Sequence, residues 1–214
     1  MSDRTIVEFH VHTSYSPDSK TDVAELEEHA LSMGTECLAI TDHDSIEGAV
    51  ALRDRGRIAV IVGEEVTSEL GDIIGLFLTE RVPPGLSPAE TIARIHDQGG
   101  LVYIPHPFDR RRRSRLFRPA LEEHAADIDI IEAWNGRTRF EEDNERGLRF
   151  AEEHGKPVAY GSDAHLLKEL GRARMEMAPF HDAPGFLDSL RDASRLGNDK
   201  SMMARLWNKL RGDD

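Results

Sequence analysis

Short apolar runs rich in valine and isoleucine recur along the whole chain, separated by longer stretches whose apolar positions return every three or four residues. The short runs predict strands over 6–11, 36–40, 58–62, 73–78, 101–104, 128–133, 157–160 and 173–178. Most are apolar at successive positions, as strands covered on both faces are. The longer stretches predict helices over 21–33, 46–55, 87–98, 140–154 and 184–191. Their ends carry recognisable signals: Gly34 follows the first, Pro88 opens the third with Gly99 beyond it, and Gly155 follows the fourth. Alternating units of this kind predict an α/β fold with a parallel sheet, either open and wound on both sides or closed into a barrel. No linker, repeat or low-complexity segment interrupts the series, so one domain is expected over 1–195.

The polar residues choose between the two architectures. Nearly every strand run ends in a side chain able to bind metal: His10 and His12, Asp42 and His43, Glu64 and Glu65, His106, Glu132 and Asn135, then Asp163 and His165. An open sheet concentrates its site at one crevice, whereas a closed barrel brings every strand's carboxyl end to one mouth. A barrel of about seven units is therefore expected. In His10-Val11-His12, strand alternation would point both imidazoles to one side, about 6 to 7 Å apart along the chain, a span suited to gripping one ion. Asp163-Ala164-His165 repeats the spacing.

Charge and composition narrow the partners. Net charge is -13, so the summed field repels long nucleic acid unless a local patch reverses it. The start lacks a charged and then apolar leader, and no apolar run reaches the roughly 18 residues of a membrane span, which predicts a cytoplasmic protein. The one cysteine, Cys37, lies in an apolar run and is expected to be buried and inert. Met202, Met203, Leu206, Trp207 and Leu210 recur at helical spacing. They predict a C-terminal helical tail over 196–214 that docks on the barrel or on a second copy of the chain.

Taken together, His10-Val11-His12-Thr13, Thr41-Asp42-His43-Asp44, Gly63-Glu64-Glu65-Val66, Pro105-His106-Pro107-Phe108 and Gly161-Ser162-Asp163-Ala164-His165 resemble the successive motifs of the PHP (polymerase and histidinol phosphatase) family, in the family's order. The resemblance implies a distorted (β/α)7 barrel, a cluster of two or three divalent ions at the carboxyl ends of its strands, and phosphoester hydrolysis. Carried onto this chain, it implies that His10, His12, Glu65 and Asp163 hold one ion, that Glu65 bridges to a second held by His106, and that Asp18, His43 and His165 hold a third. Asp163, His165 and His43 are the expected catalytic positions. The Gly-x-Glu spacing favours Glu65 over Glu64. Where family members with a full trinuclear site supply a further histidine after the sixth strand, this chain has Asn135, so the second site would be completed by Asn135, Glu132 or water. Imidazole and carboxylate donors suit Mn, Zn or Fe. Ions sharing a carboxylate would acidify a water and clamp phosphate oxygens during attack.

The run Arg110, Arg111, Arg112, Arg113 and Arg115 stands out in an acidic chain and follows the fifth strand, so it should overhang the mouth. A guanidinium fork suits phosphate, and Arg110 to Arg113, with Arg137 or Arg139, are the expected substrate-binding residues. The leading expectation is a phosphoesterase acting on a small phosphorylated metabolite or nucleotide. Two other readings are a metal-dependent amidohydrolase, for which no bridging lysine is evident after a middle strand, and a metal-binding module without catalysis.

Overall fold

A computed structural model describes residues 4–196. Seven strands, β1 (Thr5–Val11), β2 (Cys37–Ile40), β3 (Ala59–Ser68), β4 (Gly71–Leu76), β5 (Leu101–Ile104), β6 (Ile130–Asn135) and β7 (Val158–Ala164), pair in chain order. Because β1 pairs with β7 on one side and β2 on the other, the sheet closes into a barrel. Helices α1 (Val23–Ser32), α2 (Glu47–Arg55), α3 (Pro88–Asp97), α4 (Arg118–Glu123) and α5 (Glu141–Glu153) follow strands in the connections. Their starts obey local chemistry: Asp22 accepts the amides of Ala24 and Glu25 at α1, and Ser87 and Glu90 form a capping box behind Pro88 at α3.

Two apolar layers hold this arrangement. Phe9, Cys37, Ile61, Ile74, Tyr103, Ile130 and Ala159, one from each strand, meet in one buried cluster that fills the barrel. The alternate residues Val11, Leu38, Ile40, Val102, Ile104 and Ile131 face outward and join Leu26, Leu52 and Ile95 of the helices in a second cluster. A last helix, α6 (Ala183–Arg191), sends Phe186 into the inner cluster, 5.7 Å from the Phe9 ring and 5.3 Å from Phe77. Phe77 follows the downward-running β4, so α6 closes the amino-terminal end of the barrel and leaves the opposite mouth open. Cys37 lies in the inner layer, where burial pushes its thiol up to about 12.

The sheet departs from the expected all-parallel order at one strand. β4 runs antiparallel to both β3 and β5. A parallel crossover needs a dozen or more residues. The run expected over 58–62 instead continues to Ser68, leaving only Glu69 and Leu70 before Gly71, enough for a hairpin alone. β4 corresponds to the run over 73–78, after which the sequence offered no metal ligand, and its end points away from the mouth. The expected strand over 173–178 shortens to β8 (Met175–Met177), which pairs antiparallel with the first residues of β1 and carries β9 (Ser194–Arg195). The tail helix expected over 196–214 lies, beyond residue 196, outside the described residues. Among the described residues no helix is long and apolar enough to cross a membrane.

Candidate metal centre

The mouth gathers side chains from β1, β3, β7 and the loops after β1, β2, β5 and β7 into three overlapping donor groups: His10, Glu65 and His106; His10, His12 and Asp163; and His12, Asp18, His43 and His165. Within each group the ligand atoms lie within 4.8 Å of one another. His10, His12, Glu65 and Asp163 are fully buried, and Asp18 is the half-exposed member. The two oxygens of Glu65 are divided. Oε2 lies 3.0 Å from His10 Nε2 and 3.2 Å from His12 Nε2, while Oε1 lies 3.1 Å from His106 Nε2. That division is what a carboxylate shared by two ions requires. Asp163 Oδ1 stands 3.7 Å from both His10 and His12 and 3.4 Å from His165 Nδ1. Asp18 Oδ2 joins His165 Nε2 at 2.9 Å and His43 Nε2 at 3.6 Å.

A second layer fixes the ligands. Glu132 lies 2.9 Å from His10 Nδ1 and accepts the Tyr103 hydroxyl at 2.6 Å and the His106 amide at 2.5 Å. A carboxylate behind an imidazole sets the ring's tautomer and orientation, which places Glu132 behind the donors and not among them. Asn135 donates from Nδ2 to Glu132 at 2.9 Å and to Asp163 at 3.1 Å, and its Oδ1 accepts the Arg137 amide at 2.9 Å. Both ends of its amide are thus engaged in hydrogen bonds. Asp42 turns from the centre to latch the first motif, accepting the Thr13 amide at 2.5 Å and hydroxyl at 2.7 Å, with burial pushing it up to about 6. Glu64 faces away from the donors and accepts the Val82 amide at 2.8 Å.

Charges in this buried cluster hold each other in place. Burial disfavours a charged His10, yet the facing carboxylates of Glu65, Asp163 and Glu132 win and hold its ring well above the usual histidine range. His12, equally buried, is pulled down to about 4 by desolvation. Burial would raise Glu65 and Asp163, but His10 holds Glu65 well below the carboxylate range, and His10 with Arg112 does the same for Asp163.

The arginines separate into distinct fates. Arg112 reaches into the cluster and bonds Asp163 Oδ2. Arg137 reaches the same place from the next loop, 2.7 Å from His165 Nδ1 and 3.9 Å from Asp163 Oδ1. Arg110 is turned to Asp143 and Glu142, and Arg111 and Arg113 are exposed on the loop. Arg115 braces the loop by donating to the carbonyls of Asp109 and Arg112. The sequence marked the loop, but the partners that sort it lie tens of residues away.

Family comparison settles the lineage. The PHP domain matches residues 8–126, and the PHP-associated C-terminal region matches 141–194. The chain belongs to the PHP family. An uncharacterized protein of Methanocaldococcus jannaschii is 35% identical over 175 residues, covering 80% of this chain and 70% of its own length. A second uncharacterized protein of the same organism is 36% identical over 148 residues, covering 62% and 82%. Among solved structures, a Bifidobacterium adolescentis protein proposed to be a metal-dependent phosphoesterase superposes with a TM-score of 0.65 at 20% identity, over 86% of this chain and 95% of that one. An amidohydrolase from Chromobacterium violaceum, solved with sulfate and no metal, gives 0.63 at 18% identity over 91% and 99%. These neighbours share the barrel fold.

The donor set fits divalent ions. Five imidazoles, four of them buried, and the two buried carboxylates of Glu65 and Asp163 converge where bulk water compensates their charge poorly, and His12 Nε2 and Asp163 Oδ1 make no well-aligned hydrogen bond inside the cluster. A cation in either of the groups that contain His12 would satisfy donor atoms that the fold leaves unpaired.

Proposed function

We propose that this PHP-family protein is a metal-dependent phosphoesterase acting on a small phosphorylated metabolite or nucleotide. The observation that carries this reading is the convergence of Arg112 and Arg137, from two different loops, on Asp163 at the edge of the buried donor groups. The three donor groups would hold the ions, with Glu65 shared between two of them. Bound there, divalent ions supply Lewis-acid polarisation of a phosphoryl oxygen and an acidified water.

The chain's own residues supply the rest. Arg112 and Arg137 present fixed cations to the non-bridging oxygens of a phosphate, orienting it against the donor cluster. Glu132 and Tyr103 keep the His10 ring aimed at Glu65, and Asp42 with Thr13 keeps the His12 loop closed over the site. The surrounding burial excludes bulk water, so these charges act at low dielectric.

The reading is tested by phosphate or nitrophenol release from p-nitrophenyl phosphate and bis(p-nitrophenyl) phosphate, with protein stripped of metal and reloaded with Mn or Zn. Activity should return with metal and disappear in His12→Ala. Arg112→Ala and Arg137→Ala should each raise KM about ten-fold or more, as expected for losing one charge-assisted contact. Release that is indifferent to metal, or KM values unmoved by both arginine variants, would overturn the proposal.

A further inference from the structure

Every exposed large apolar side chain among the described residues stands on a mouth-side connection: Tyr15 after β1, Leu70 in the β3–β4 turn, Phe117 after β5, Phe140 after β6 and Leu166 after β7. One of them is built into a support. Arg110 donates from Nε to Asp143 Oδ1 and Oδ2 at 3.0 and 3.1 Å, and from Nη2 to Asp143 Oδ1 at 2.8 Å and Glu142 at 3.0 Å. So fixed, its guanidinium lies 4.7 Å from the centroid of the Phe140 ring. The ring is backed on one face by a pinned cation and is still 39% exposed.

Its position matters as much as its build. Arg110 belongs to the β5–α4 loop and Phe140 to the β6–α5 loop, the same two loops that send Arg112 and Arg137 to Asp163. The Thr138 hydroxyl bonds Asp109 at 3.3 Å and ties the loops together between the two contacts. Phe140 lies three residues beyond Arg137, so chain geometry keeps its Cα within about 11 Å of that arginine's.

We infer that Phe140, propped by Arg110 and Asp143, is a stacking platform for a planar ring carried by the phosphate ester, so that the substrate is a nucleotide in chemical class. This rests on the phosphoesterase reading and narrows it. Aromatic rings accept any base face without hydrogen-bond readout, and a pre-fixed ring spends no side-chain entropy on binding. Arg110 thereby acts as a positioning residue for the platform, while Arg112 and Arg137 hold the phosphate.

Isothermal titration of the full-length, metal-loaded protein with the non-hydrolysable phosphonate analogues of adenosine 5′-monophosphate and of ribose 5-phosphate tests this, because the two ligands share the phosphoryl group and sugar and differ in the base. The nucleotide should bind about ten-fold tighter or more. Phe140→Ala should abolish that advantage, Phe140→Trp should keep it, and affinity for the ribose analogue should stay the same in both. Arg110→Ala should weaken the nucleotide alone. Equal affinity for both ligands in the wild type, or a nucleotide affinity untouched by Phe140→Ala, overturns the platform; so does an Arg110→Ala variant that weakens both ligands equally. Failure of the phosphoesterase reading has a different signature, loss of metal-restored ester turnover.

Discussion

His10, His106 and Asp163 hang from left-handed backbone, with φ of 58°, 32° and 51°. Such conformations cost L residues on the order of 1–3 kcal/mol each and persist only where the surroundings over-determine them. At His10 the reason is visible. The β1 register shifts against β2 between Glu8 and Val11, and against β7 between Phe9 and Val11. Regular alternation would send Phe9 and His10 to opposite faces, whereas the kink keeps Phe9 in the inner core and still turns His10 to Glu65. Gly161 makes the space, since a Cβ there would stand 1.9 Å from Glu132 Oε1 and 2.9 Å from His10 Cβ. Residue types alone did not announce these kinks, because histidine and aspartate carry no mark of them.

Glu64 carries a residue-scale prediction of its own. Burial pushes it up to about 7, above its ordinary value of 4.5. A carboxyl raised in the folded state contributes stability that is complete below the unfolded value and lost as pH rises through the folded one. The loss between pH 4.5 and 7 is on the order of 3 kcal/mol. Glu64→Gln keeps the acceptor for Val82, so urea unfolding should show the variant gaining on the wild type from pH 5 to pH 8. The same stability difference at both pH values would sink this assignment.

At the scale of elements, the arginine loop is held as an added edge on the β3–β4 hairpin. Asp72 donates its amide to Ser114 at 2.7 Å, Phe117 donates to Leu70 at 2.7 Å, and Asp72 bridges Arg115. Gly71 permits the contact: its φ is 125°, and a Cβ would stand 2.5 Å from the Arg115 carbonyl oxygen. Gly71→Ala should therefore push the loop outward, raising KM for an anionic ester several-fold and costing about 1–3 kcal/mol of stability. An unchanged KM would show that Arg112 does not depend on this contact. The sequence made strands and helices legible through their periodicity, and the histidine and carboxylate donors through their places at strand ends. The direction of β4 was hidden because the strand run was read as ending at residue 62, six residues before its true end at Ser68. The sorting of Arg110 from Arg112 was hidden because their partners, Asp143 and Asp163, lie 33 and 51 residues away.

Over the whole molecule, a chain of net charge -13 still brings two cations, Arg112 and Arg137, from two loops to a buried cluster of carboxylates and imidazoles. Closure of seven strands brings donors that are up to 155 residues apart in sequence into one mouth, which is why their joint pattern was readable before any contact was known. The central claim, that these donors hold divalent ions and that the ions support phosphoester hydrolysis, is tested most directly by one titration. Metal-stripped protein is titrated with Mn2+ while bound ion and phosphate-ester turnover are followed on the same samples, for the wild type and for Glu65→Gln. Turnover should rise in step with occupancy beyond one ion per chain, and both should collapse in the variant. Full turnover without bound ion, or full occupancy without turnover of either mono- or diester, would contradict the account.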